Sequence, residues 1–281
     1  MAGSGAGKSE LIKVLMLSYI RKKPRKETVI LLDPHGDIAQ QVAHFKEHQN
    51  LNNLAYISPD LNKAYTPCIN PLELEAGASP AQINYMAECL TEVFKEIVGA
   101  DSTLTANMET LLKAVLSVLL LKKNTTLLDL QKFMRDDENN ELVEYAQTHS
   151  TAGQQHFFTH AFYDRNYTAT KNALYTKIQS LLNSETFYRL TIGKSTVNIK
   201  HLMNSKKTIV FNLSKGLIGQ QTSPAFGRFI VGMVQGFSFE RQSIPESQRV
   251  PVYLLMSFKI SLPPALKQYL QKAENMPYTS H

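Results

Sequence analysis

The spacing of apolar and polar positions gives the first part of the chain an alternating character. A glycine-rich start is followed by segments with helical and strand periodicity. These patterns predict helices over 9–22 and 37–47, and strands over 28–32 and 54–57. Alternation of strands and helices is typical of an α/β fold with a parallel sheet.

A long helical stretch separates this region from a second alternating one. Helical spacing recurs over 79–98, 103–123, 127–135, 138–148 and 168–182. The patterns that follow predict helices over 198–204, 224–241 and 265–272, and strands over 208–212 and 252–255. We therefore expect one parallel-sheet core, formed by residues 1–77 and 191–281, interrupted by an all-helical insertion over 78–190.

The strongest chemical signal is the start of the chain, which reads Ala-Gly-Ser-Gly-Ala-Gly-Lys-Ser over residues 2–9, directly before an amphipathic helix. The pattern fits a P-loop with Ala in place of the first Gly. Glycines let backbone N–H groups surround phosphates, the lysine neutralises the β/γ charge and the serine hydroxyl binds Mg²⁺. We expect Ser9 to bind Mg²⁺ and the nucleotide to be held by Gly3, Ser4, Gly5, Ala6, Gly7, Lys8 and Ser9.

Asp33 follows the strand predicted over 28–32, within Leu-Asp-Pro-His-Gly-Asp at 32–37. Open α/β sheets bind ligands at the carboxyl ends of their strands, so one interpretation makes Asp33 a neighbour of the nucleotide or of its Mg²⁺ water. The other makes Asp33 the cap of the turn into the next helix. Both interpretations stay open.

A second Gly-Lys-Ser-Thr run, at 193–196, lacks the glycine loop of a P-loop, because Tyr188 stands five positions before Gly193. Lys194 has two interpretations. It contacts the phosphate of a neighbouring subunit, or it belongs to a helix-capping turn led by Ser195.

Histidines occur twice at a spacing that metal sites use. His44, Glu47 and His48 fit H-x-x-E-H, the pattern of inverted zinc peptidases. That spacing is common in polar helices and no distal acidic ligand stands out, so we expect a solvated helix face and no zinc. His156 and His160 lie among phenylalanines, which favours a packing surface over a metal pair.

Composition narrows the class of protein. The chain has 281 residues, 43% hydrophobic and 19% charged, as globular proteins do. Its two cysteines cannot build the disulfide framework of a small secreted domain. No apolar stretch reaches the roughly 20 residues of a membrane span. We expect a cytoplasmic, globular chain.

The charge balance permits an anionic partner. The net charge is +6 and the pI is near 9.1. The sharpest basic cluster contains Arg21, Lys22, Lys23, Arg25 and Lys26. It is either a solvated helix end, whose cations suit the helix dipole, or a set of contacts with the phosphates of DNA.

Five segments together carry a family likeness. They are the P-loop, Leu-Asp-Pro-His-Gly-Asp at 32–37, Leu-Thr-Ile-Gly-Lys-Ser-Thr at 190–196, Ile-Val-Phe-Asn-Leu-Ser-Lys-Gly at 209–216 and Arg-Val-Pro-Val-Tyr-Leu-Leu at 249–255. Together they resemble the DNA-pumping ATPases of the FtsK/HerA superfamily. Within it they are most similar to the conjugative coupling proteins of type IV secretion systems, whose RecA-like core carries a helical insertion.

The resemblance implies a motor that binds ATP between the subunits of a homo-oligomeric ring, usually a hexamer, and moves DNA through the pore. It implies Lys8 at the phosphates, Ser9 at Mg²⁺, Asp33 as a neighbour of the site and an arginine supplied by the next subunit. It also implies other type IV secretion components as partners. Full-length relatives are usually tethered to the inner membrane.

One family feature is missing. The Walker B strand of the family ends in Asp-Glu-Phe-Gln-Asn, where this chain has Met-Ser-Phe-Lys-Ile at 256–260. With Met256 and Ser257 in place of both acids, we expect little or no hydrolysis. Met-Ser-Phe-Lys-Ile can be encoded by ATG-AGT-TTC-AAA-ATT, and the same bases read one place earlier after a G encode Asp-Glu-Phe-Gln-Asn. A frameshift is therefore one hypothesis, and we expect the core to lack its first and last strands.

Several function classes follow from these features. The first is an ATP-driven DNA translocase subunit. The second is a nucleotide- or DNA-binding remnant without turnover, and a secretion ATPase acting on protein is a further alternative. A zinc peptidase would account for one helix alone.

Overall fold

The computed structural model describes residues 6–22, 24–45, 53–59, 65–99 and 102–256. Its strands are β1 (Thr28–Asp33), β2 (Leu54–Ile57), β3 (Thr208–Asn212) and β4 (Val252–Met256). They form a parallel four-stranded sheet in the order β2-β3-β1-β4. Every predicted strand is present to within one residue at each end, and the α/β prediction is confirmed.

Most of the described chain is helical. The helices are α1 (Ala6–Arg21), α2 (Asp37–Ala43), α3 (Pro80–Val98), α4 (Ser102–Leu121), α5 (Leu127–Phe133), α6 (Asn140–His149), α7 (Ala152–His160), α8 (Thr168–Leu182), α9 (Glu185–Thr191), α10 (Ile199–Met203), α11 (Lys215–Ile218) and α12 (Thr222–Glu240). Helices α7, α9 and α11 were not predicted. The predicted helix over 265–272 lies outside the described residues.

Strand β1 is buried along its whole length, because helices cover both faces of the sheet. Val29 and Leu31 pack with α1 and α2 in a smaller core. Ile30 and Leu32 point the other way, into a larger core that includes the long helical segment. A strand buried on both faces needs an unbroken apolar run, which is why residues 28–32 show no polar alternation.

Helix α1 runs back along β1. Six residues connect Arg21 at the end of α1 to the start of β1, and both elements belong to the smaller core. Tyr19, in the last turn of α1, stacks on Tyr253, which pairs with Val29 near the start of β1. The 16 residues of α1 span about 24 Å, and the six residues of β1 span about 20 Å. The first turn of α1 therefore lies level with the carboxyl end of β1.

On the other face, α12 packs tightly against α3. A Cβ added to Gly232 would come within 2.8 Å of Val93, and one added to Gly236 within 2.4 Å of Met86. Side chains at these two positions would hold the helices apart. Because of this close approach, the helical segment shares the larger core with the sheet.

Helix α3 has strong signals at both ends. Ser79 accepts a hydrogen bond from the backbone of Gln82 in a capping box, Pro80 opens the helix, and Gly99 closes it in the left-handed conformation. These signals explain why its predicted bounds hold.

In the part of the chain that the structure describes, no helix is both long and apolar enough to cross a membrane.

We predict that both thiols are unreactive in the folded chain. Cys68 and Cys89 are buried, and burial raises their pKa values to about 11 and about 12. At pH 8 each thiolate population is then about a hundredfold or more below that of an ordinary cysteine. Native protein should react with a disulfide reagent at least that much more slowly than protein unfolded in guanidinium. Equal rates in the two states would contradict this packing.

Candidate nucleotide site

Two motif segments that are far apart in the chain meet at the carboxyl ends of β1 and β3. The backbone N–H of Leu213 donates to the carbonyl of Asp33 at 2.9 Å, and that of Lys215 donates to the carbonyl of Pro34 at 3.0 Å. Parallel pairing of β1 with β3 sets Asp33 beside Asn212. The loops after the two strands therefore form one continuous wall at this edge of the sheet.

Asp33 is fully buried and its carboxylate is bonded to the following turn. One oxygen accepts from the backbone N–H of His35 at 3.2 Å, and the other from that of Ala39 in the first turn of α2 at 2.9 Å. These contacts match the turn-capping interpretation. They leave the role of Asp33 toward a nucleotide as a prediction.

Asn212 is a candidate site residue that sequence reasoning missed. It is 3% exposed, and its side-chain oxygen accepts from the backbone N–H of Ser214 at 3.2 Å. Gly36 lies against it with φ of 86°, and a Cβ there would stand 3.0 Å from that oxygen and 3.1 Å from the Cβ of Ser214. Asn212 could have been found from the sequence, because it is a polar residue at the end of an apolar strand segment. The same pattern drew attention to Asp33.

The glycine-rich motif leads into the first turn of α1. Helix α1 begins at Ala6, so Lys8 and Ser9 belong to its first turn, level with the end of β1. Gly3, Ser4 and Gly5 lie outside the described residues. Unpaired N–H groups of a helix start attract phosphate, and a serine hydroxyl is an oxygen ligand of the kind Mg²⁺ prefers. This donor set fits a magnesium nucleotide.

Strand β4 carries no acid at position 256, where the family resemblance expects the first acid of Walker B. Met256 pairs with Leu32 and is partly buried against the larger core. Its thioether is a poor ligand for Mg²⁺, which binds oxygen. Ser257, the second replaced position, lies outside the described residues.

The basic cluster lies at the opposite edge of the sheet. Arg25 donates to the carbonyl of Asn53 at 3.1 Å and to the hydroxyl of Thr208 at 3.2 Å, and burial lowers its pKa. Lys22 pairs with Glu27 at 3.3 Å. Lys26 and Arg21 are exposed, whereas Lys23 falls in a gap of the described chain. The cluster is therefore separated from the nucleotide motif by the length of β1.

The second Gly-Lys-Ser-Thr run has a role that was not predicted. The hydroxyl of Ser195 accepts from the backbone N–H of Asn70 at 2.9 Å, and its own N–H donates to Glu73 at 2.6 Å. Ser195 thus joins two loops instead of capping a helix, and the capping interpretation was wrong. Asn198 caps α10, accepting from His201 at 2.8 Å.

The zinc-like pattern begins at the end of a helix. Helix α2 stops at Ala43, and His44 follows as its C-cap. The predicted helix over 37–47 is therefore shorter in the structure, and Glu47 and His48 lie outside the described residues. Among the residues that are described, no group of three or more His, Cys, Asp or Glu side chains could hold a metal ion.

A parallel sheet covered on both faces, with a glycine-rich Lys-Ser motif opening a helix at its carboxyl edge, defines a P-loop nucleotide-binding protein of the α/β class. A family model described as "Helicase HerA, central domain" matches residues 1–231. The chain belongs to this family, and so to the HerA/FtsK superfamily of P-loop ATPase motors. Comparison with curated proteins found no match, and comparison with solved structures found none.

We predict that Gly36→Ala destabilises the fold more than Gly77→Ala. Both glycines have φ of 86°, but a Cβ at Gly77 meets nothing within 4 Å. Backbone strain of about 1–2 kcal/mol is common to both variants. Overpacking against Asn212 and Ser214 adds a further 1–3 kcal/mol or so at Gly36 alone. Urea unfolding of the two variants measures the difference, and equal destabilisation would show that the loops do not meet this closely.

Proposed function

We propose that this chain is the ATP-binding motor domain of a DNA translocase, in the conjugative coupling-protein branch of its superfamily. The observation that carries the proposal is the contact of two motif loops at the edge of the sheet to which the glycine-rich motif leads. Membership of the HerA family supports ATP and Mg²⁺ as the ligands. The five family-like segments support the branch.

In this proposal each site residue has a separate task. The first turn of α1 directs N–H groups at the phosphates, Lys8 neutralises their charge, and Ser9 orients Mg²⁺. Asp33 holds the loop between β1 and α2 in place through its two backbone hydrogen bonds. ATP supplies the phosphoryl group whose transfer drives the motor.

We propose further that residues 1–77 and 191–281 act as the motor core and 78–190 as its helical insertion. Subunits would assemble into a homo-hexameric ring around DNA, and an arginine of the neighbouring subunit would complete each site. The partners would be DNA and type IV secretion components. The domain would work on the cytoplasmic side of the inner membrane.

Hydrolysis by this chain is expected to be weak. One acid normally holds the Mg²⁺ water and another orients the attacking water, and loss of a general base alone slows such reactions about 10²- to 10⁴-fold. Met256 supplies neither function. A non-hydrolysing binding remnant is therefore the second candidate. A secretion ATPase acting on protein is the third, and it shares the same core.

We predict that the chain binds ATP with Mg²⁺ and that Lys8→Ala weakens this binding about tenfold or more, because a charged hydrogen-bonding group is removed from the phosphates. A fluorescent ATP analogue measures the affinity. Arg189→Ala, an exposed residue paired only locally with Glu185 in the described contacts, is the matched control and should bind as the unaltered chain does.

Phosphate release, measured with and without DNA, separates the candidates. Release at the Lys8→Ala background, together with ATP binding, favours the non-hydrolysing remnant, whereas weak release above that background favours a motor domain degenerate at Walker B. DNA-stimulated release well above that background would overturn the loss of hydrolysis. Absence of ATP binding would overturn the proposed function itself.

A further inference from the structure

We propose that the amino ends of the strands form a binding surface for single-stranded nucleic acid, made of Tyr253, Lys22, Lys26, Lys206 and Lys207. We name this surface the amino edge. The inference rests on the proposed function for the choice of a nucleic acid as partner. It adds a surface at the edge of the sheet opposite to the nucleotide motif.

Backbone contacts bring two separate lysine pairs together here. The N–H of Val29 donates to the carbonyl of Lys207 at 3.1 Å, and the N–H of Lys206 donates to the hydroxyl of Thr28 at 3.0 Å. The segment that carries Lys22 and Lys26 is thus held beside the turn before β3. These lysines are far apart in sequence and become one basic surface only through the pairing of β1 with β3.

Arg25 acts as the positioning residue of this surface. Its guanidinium bonds the carbonyl of Asn53 and the hydroxyl of Thr208, which ties the basic segment to the starts of β2 and β3. The carbonyl of Asn53 also accepts from the N–H of Thr208 at 2.8 Å. Because these contacts occupy Arg25, the phosphate-binding role falls to the lysines around it.

The charges at this edge are unbalanced. Lys26 and Lys206 are exposed and Lys207 is half-buried. The acid that the described contacts place here is Glu27, which pairs with Lys22. The lysines therefore outnumber the acid among these residues, and an extended anion is attracted to them.

An aromatic pair lies beside these cations. Tyr19 and Tyr253 stack with ring centroids 4.5 Å apart, and the amine of Lys22 lies 4.7 Å from the centroid of Tyr19. Tyr253 pairs with Val29 near the start of β1, and it is 38% exposed. An exposed ring among lysines offers a stacking surface for an unpaired base, with cations nearby for the phosphates.

Single-stranded nucleic acid fits this combination better than a duplex or a lipid surface does. A duplex keeps its bases stacked and would use the lysines alone. An anionic membrane would likewise use charge and would not require a flat ring. A test that varies the lysines and the ring independently therefore distinguishes the three.

The first measurement is the anisotropy of a fluorescein-labelled oligothymidine titrated with the full chain, without nucleotide. Lys206→Gln with Lys207→Gln should weaken binding about tenfold at low salt and lower the slope of log affinity against log salt by about 1.4, near 0.7 for each phosphate that is no longer neutralised. The control changes Lys123 and Lys177 of the helical segment to Gln. It should leave the slope unchanged, and equal weakening in the control would overturn the inference.

The second measurement uses the ring. Tyr253→Leu should weaken oligothymidine binding about tenfold, as removal of one base-stacking partner does, whereas Tyr253→Phe should bind normally. Binding of a duplex of the same length should respond to the lysine changes alone. Thermal melting shows whether Tyr253→Leu still folds.

Two further results would overturn the inference. One is oligothymidine binding that Tyr253→Leu leaves intact while the variant folds normally. The other is binding to phosphatidylglycerol vesicles without any binding to oligothymidine. Lys8→Ala should retain full oligothymidine binding, so that failure of the nucleotide proposal and failure of the amino edge are seen separately.

Discussion

Burial of β1 on both faces is the constraint on which the rest of this structure depends. A parallel strand with apolar side chains on both sides needs helices above and below it, and it needs paired strands on both edges. α1 and α2 cover one face, the helical segment and α12 cover the other, and β3 and β4 pair with its edges. The direction of β1 then decides which loops meet at each end of the sheet.

That direction gives the two ends of the sheet opposite chemistry. The carboxyl end collects the loops after Asp33 and Asn212, and the first turn of α1 lies level with it. The amino end collects lysines from two loops and an exposed tyrosine ring. Both assemblies follow from the parallel pairing of β1 with β3 and with β4. Neither follows from any single motif.

The features predicted well from sequence are those with local causes. The strands are short apolar runs bounded by turn residues, and α3 has caps at both ends, so their bounds were predicted closely. Helices α7 and α9 were missed although local signals are present, since Thr151 and Gln154 form a capping box before α7 and Ser184 caps α9. Helix α11 has four residues, too few to establish a helical period.

The candidate nucleotide site also has a part that could be predicted from sequence and a part that could not. The glycine-rich motif could be recognised because its residues are adjacent in sequence. The contact of Gly36 with Asn212, and the bond from Asn70 to Ser195, join segments that meet only in the folded chain. For that reason the contact partners of Asn212 and Ser195 could not be predicted from the sequence. A sequence pattern identified which residues carry chemistry, and strand pairing determined which of them meet.

Helix α1 joins the two ends of the sheet as a single rod. Its first turn belongs to the phosphate motif, and Tyr19, near its last turn, stacks on Tyr253 at the other end of β1. The described helix has no proline to bend it, and its inner face is locked into the smaller core by Ile12, Met16 and Ile20. An axial shift of α1 at one end must therefore displace the other end by the same distance. Helix α1 therefore couples the two ends of the strands along their full length.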